Sequence, residues 1–192
     1  MNNFVILILG DKVLYFRNEL DKTKYSTYRL NKAMANKELF KVDKGLYSDI
    51  EFVNPLEIIL KKYPNAIFTS NSAYYYYDLT DVIPDYFYLA TKRSDSRIND
   101  KNIKQVFIPN DLFEFGKTQI EVENIKINIY DEERILVELI RKKNIIPFDY
   151  YKEIITNYRK KVDKLDIYKI QKYISYYKNE ASLYDSLMRE VF

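Results

Sequence analysis

Hydrophobic and polar positions divide the chain into a helical opening with a hairpin, a mixed middle and a helical end. Phe4 to Leu9 is an unbroken apolar run closed by Gly10-Asp11-Lys12. This pattern predicts a buried helix over 3–9 and a short element over 13–20. Ser26 stands as the N-cap of a helix reaching about Asn36. Leu30, Ala33 and Met34 share one face of it at i, i+3 and i+4, which turns Tyr25, Tyr28, Arg29, Lys32 and Asn36 to the other side. Leu39-Phe40-Lys41-Val42 and Leu46-Tyr47 then flank Asp43-Lys44-Gly45. Glycine takes the positive φ that a three-residue hairpin loop needs, so this stretch reads as a tight β-hairpin.

Asn54-Pro55 opens a new helix to Tyr63 with Leu56, Ile59 and Leu60 inward. Short strands follow over 66–69, 85–90 and 105–108, with a helical turn over 72–77. Thr118–Val122 and Ile125–Tyr130 form a hairpin around Glu123-Asn124, its Ile125, Ile127 and Ile129 alternating inward. From Asp131 the period becomes helical: Ile135, Leu136, Leu139 and Ile140; then Tyr151, Ile154, Ile155 and Tyr158; then Ile167, Ile170, Ile174 and Tyr177; then Leu183, Leu187 and Val191. The expected fold class is α+β: an N-terminal winged helix-turn-helix over 1–49, then a domain over 50–192 with a mixed α/β segment and a C-terminal helical bundle.

Charge sharpens this division. The 192 residues carry a formal charge of +3, but residues 1–49 are +3 and residues 50–138 are −5. Residues 139–178 hold eleven basic and four acidic side chains, +7, and the last fourteen residues are −2. Two basic blocks around an acidic middle imply separate surfaces with separate partners. Cys and His are both absent. That removes disulfides, thiolate zinc sites, the commonest general base and the commonest nitrogen ligand for a metal. A six-residue apolar run is far short of the roughly 20 needed to cross a bilayer, and it has no basic leader or cleavage site, so the chain is expected to be cytoplasmic.

Long cationic and amide side chains on an exposed helix are what phosphate contact and major-groove readout require. The candidate DNA-binding residues are Lys24, Tyr25, Ser26, Thr27, Tyr28, Arg29, Lys32 and Asn36 around the 26–36 helix, with Lys41 and Lys44 on the hairpin. A second candidate surface comprises Arg141, Lys142, Lys143, Arg159, Lys160, Lys161, Lys164, Lys169 and Lys172. Cations at helix C-termini complement the helix dipole, but so many together also create a field that attracts nucleic acid or an acidic protein face. Asp131-Glu132-Glu133-Arg134 reads first as a helix cap. Glu123-Asn124-Ile125-Lys126 is one residue too long for the E-x-K spacing of metal-dependent nucleases. Of Tyr74–Tyr77, one or two are expected to pack inward. No Gly-rich phosphate loop or metal-ligand cluster occurs, so no cofactor, metal or catalytic residue is expected. A protein-binding module whose basic helices engage an acidic partner remains the alternative to DNA binding, with a carboxylate-dependent nuclease third.

Leu39 to Tyr47 resembles the "G-x-L-x-x-I-x-x-G-x-Y" wing of AbiEi-type antitoxins, with Asn36 or Lys37 where a leading Gly is common. Ala66 to Ala73 resembles that family's "a-x-i-s-x-x-S-A" stretch, Leu79 to Pro84 its "L-T-D-x-x-P" segment, and Ile129 to Val137 its "E-R-T-L-V-D" helix start, with Ile135 and Glu138 replacing Thr and Asp. The ordered set spans roughly residues 1–160. The resemblance implies a type IV toxin–antitoxin system acting in abortive infection against phage. It implies a winged helix that binds inverted repeats in double-stranded operator DNA and represses its own operon. It also implies a C-terminal domain that counteracts a nucleotidyltransferase toxin without a stable complex.

Overall fold

The computed structural model describes residues 14–22 and 26–192. The expected helix over 3–9, Lys24 and Tyr25 lie outside them. The chain is α+β and divides into two compact units, residues 1–64 and 65–192.

In the first unit the order is β1 (Leu14–Phe16), α1 (Arg17–Lys22), α2 (Thr27–Ala35), β2 (Phe40–Asp43), β3 (Leu46–Ser48) and α3 (Pro55–Lys62). The three strands form an antiparallel sheet in the order β1-β3-β2. Leu20, Leu30, Ala33, Leu39 and Tyr47 make its core, with Tyr15 and Met34 packed against them. The division falls after Pro64, so α3 belongs with the preceding elements. Lys61 Nζ lies 3.0 Å from Glu19 of α1, and Lys62 Nζ lies 2.5 Å from Asp43 of β2.

The end of α2 has a specific geometry. Lys37 adopts φ +58°. Its amide donates to the Met34 carbonyl at 3.1 Å, and that of Glu38 donates to the Ala33 carbonyl at 2.9 Å. This pair satisfies helix carbonyls through a left-handed residue, the position at which glycine is most favoured. The hairpin then forms as expected, but Asp43 pairs with Leu46, so its loop is two residues and the extra residue sits as an irregularity between Lys41 and Asp43. Gly45 at φ +72° makes that turn possible.

The second unit contains a five-stranded sheet in the order β6-β5-β4-β8-β7. Its strands are β4 (Ile67–Phe68), β5 (Phe87–Lys92), β6 (Ile103–Ile108), β7 (Lys117–Val122) and β8 (Ile125–Tyr130). Pairs β4–β8 and β5–β6 are parallel, while β4–β5 and β7–β8 are antiparallel. The helices are α4 (Ser70–Tyr76), α5 (Glu132–Arg141), α6 (Phe148–Lys160), α7 (Ile167–Ile174) and α8 (Glu180–Glu190). Ile127, Ile129, Ile135, Leu136 and Leu139 are fully buried where β8 runs into α5. Helix α5 packs on α4, α7 and α8. Ile170 and Ile174 of α7 are buried, whereas Ile167 on the expected inward face remains exposed. Among the described residues no helix is long and apolar enough to cross a membrane.

Candidate nucleic-acid interface

Burial fixes the rotation of α2. With Leu30 and Ala33 in the core, the helical period turns Thr27, Tyr28, Arg29, Asn31 and Lys32 to solvent. Tyr28 is 75% exposed. The Ser26 hydroxyl oxygen accepts from the Arg29 amide at 3.4 Å and caps the helix. Arg17 Nη2 donates to Thr27 Oγ1 at 3.3 Å, joining α1 to the first turn of α2. At the other end Asn36 is exposed, and its side-chain amide donates to Glu38 Oε1 at 3.1 Å. On the hairpin, Lys41 and Lys44 are exposed, and Asp43 Oδ1 accepts from the Lys44 amide at 2.6 Å to fix the turn.

Eight of the ten expected DNA-facing residues are thus described, all on α2, its caps or the hairpin, and all are exposed. Asn31 shares their surface and was missed by sequence projection. Its amide offers the donor and acceptor that suit an adenine edge.

The second group of cations behaves differently. Arg141 Nη2 and Lys142 Nζ lie 2.7 and 3.4 Å from Glu138 Oε2, and Arg141 also stacks over Tyr177. Lys143 pairs with Glu190 at 2.9 Å, and Arg159 Nε donates to the Glu190 carbonyl at 2.7 Å. Lys161 Nζ donates to the Tyr77 carbonyl at 2.5 Å and approaches Glu132 at 3.5 Å. Lys169 reaches Asp131 and Glu133. Lys160 donates to Asn157 Oδ1, Lys172 lies over the Phe115 ring, and Lys164 is exposed. Five of the nine therefore have a carboxylate partner, which weakens the field that their number suggested.

The acidic run at the start of α5 is absorbed in the same way. Asp131 Oδ1 caps the helix by accepting the Arg134 amide, and its Oδ2 accepts the Tyr173 hydroxyl at 2.7 Å. Glu133 Oε1 accepts the Asp166 amide at 3.0 Å. Burial raises the pKa of Glu132, against the opposing pull of Lys161. These carboxylates, with Lys161, Lys164, Tyr77 and Thr118, border a cleft of about 250 Å³. Among the described residues no acidic group is arranged to hold a metal ion. Of the four tyrosines, Tyr74 is buried, and Tyr76 packs edge-on against Phe68. No protein-family model matches the chain, and no curated protein matches it.

Proposed function

We propose that the protein is a DNA-binding antitoxin that represses its own operon. The first unit is a winged helix-turn-helix: α1 and α2 form the helix pair, and β2–β3 is the wing. The observation that carries this is α2 itself, which buries Leu30 and Ala33 and turns Arg29, Asn31 and Lys32 outward, within the sheet order β1-β3-β2. Arg29 and Asn31 read base edges, while Lys32, Lys41 and Lys44 contact phosphates. The partner is double-stranded operator DNA with inverted repeats. The second unit antagonises a nucleotidyltransferase toxin without a stable complex, and the protein acts without catalysis or cofactor, in the cytoplasm. The resemblance over roughly residues 1–160 supports this part.

The test is a cell carrying the toxin and a reporter behind the protein's own promoter. Full-length chain should repress the reporter and protect growth. The Arg29→Ala/Lys32→Ala variant should lose repression yet keep protection. Loss of both at normal protein levels would contradict the division of labour between the two units.

A further inference from the structure

The five-stranded sheet ends at β7, which among the described residues pairs with β8 alone. Val122 pairs with Ile125 across the two-residue turn Glu123-Asn124, whose φ angles are +50° and +64°. In an antiparallel ladder closed this way, Val122, Ile120 and Thr118 exchange their hydrogen bonds with β8. The backbone groups of Lys117, Gln119 and Glu121 therefore point away from it. The side chains of those same three residues are exposed, while Thr118, Ile120 and Val122 are half-buried.

An edge of this kind accepts another strand, and its charges specify which one. A two-fold axis at Gln119 sets Lys117 opposite Glu121 of a second copy, Gln119 opposite Gln119, and Glu121 opposite Lys117. Both ion pairs are then directly cross-strand, and the outward-facing backbone groups of all three residues come into register. Lys117 already leans on Glu114, its amide donating to the carbonyl at 3.3 Å and its Nζ to Oε2 at 3.1 Å. The backbone bonds therefore centre on Gln119 and Glu121, and the cross-strand pair exchanges an exposed local partner for Glu121 of the second copy. The opposite edge, β6, carries Lys104 and no carboxylate over Ile103–Ile108, and no two-fold pairing of it neutralises charge.

We propose that β7 is a self-complementary edge through which two copies of this chain join their sheets. Sedimentation of the full chain over a range of concentrations tests this. Wild type should dimerise reversibly, more weakly at high salt. Lys117→Glu and Glu121→Lys should each weaken the dimer about ten-fold or more, because each turns two attractions into two repulsions. Mixing the two variants should restore association as a heterodimer, since every cross-strand pair is again opposite in charge. Circular dichroism establishes that each variant is folded. Glu121 also faces Lys126 within the hairpin, so should Glu121→Lys unfold, amide exchange of wild type decides the matter. The Gln119 and Glu121 amides should gain protection as concentration rises. A monomeric wild type, single variants that still dimerise, a mixture that does not associate, or concentration-independent exchange would each overturn the proposal.

Discussion

The guanidinium of Arg134 lies over the Tyr130 ring, 3.6 Å from its centroid. From there Nη1 donates to the carbonyls of Leu112 and Phe115, while the Tyr130 hydroxyl donates to the Phe113 carbonyl at 2.8 Å. One residue of the helix start thus holds the loop between β6 and β7. A lysine ammonium cannot lie flat on the ring while reaching both carbonyls. Arg134→Lys should destabilise the second unit by about 2–4 kcal/mol in denaturant unfolding, with faster amide exchange over 109–116.

Lys37 occupies a left-handed conformation that costs a non-glycine residue about 1 kcal/mol. Lys37→Gly should therefore raise the stability of the first unit by roughly that amount, as read by chemical denaturation. Asn36 has φ −81°. Asn36→Gly should bring no such gain, since it also removes the bond to Glu38.

Much of the fold was legible because it follows from burial periodicity. Ser26, Leu30 and Ala33 place α2, and Ile127, Ile129, Ile135 and Leu139 place β8 and α5. What stayed hidden depends on residues far apart in sequence. The unit boundary lies past α3, whose Lys61 and Lys62 pair with Glu19 and Asp43. The Lys143–Glu190 and Lys161–Glu132 pairs reduce the basic block to fewer unmatched charges. The two-residue hairpin loop arises from an irregular register that glycine placement alone does not specify.

Adjacent lysines should separate charge from structure. Among the described residues Lys160 bonds only to a side-chain amide one turn back on its own helix, so Lys160→Glu should cost no more than about 1 kcal/mol, the loss of a cation at the helix C-terminus. Lys161 holds the Tyr77 carbonyl and faces Glu132. Lys161→Glu should cost about 2 kcal/mol or more, since it leaves a carbonyl unmatched and sets two carboxylates together. Thermal unfolding of the two variants checks this. Protection assays on Lys160→Glu then report on charge alone.

Acid should loosen the second unit through Glu138. Burial raises its pKa, but Lys142 and Arg141, with hydrogen bonds from Tyr177 and Arg141, more than offset this and hold it below the usual 4.5. The folded state binds this proton less readily than the unfolded chain. Its stabilisation is complete above the unfolded value and is lost as pH falls through the lower, folded one. Glu190 acts in the same direction, while Glu132, raised by burial, offsets part of their effect. Thermal midpoints should fall below about pH 4.5, and Glu138→Gln should flatten that decline while lowering the midpoint at neutral pH.

The central claim is that α2 reads DNA, and it is tested most directly by fluorescence anisotropy of the full chain with DNA from upstream of its own gene, against a scrambled duplex, at several salt concentrations. Wild type should prefer the upstream sequence by about 1,000-fold or more. The Arg29→Ala/Lys32→Ala variant, still folded because Leu30 and Ala33 are untouched, should lose at least about ten-fold in affinity and show a shallower salt dependence. A wild type that does not discriminate between the duplexes, or a double variant that binds as tightly as wild type, would contradict it.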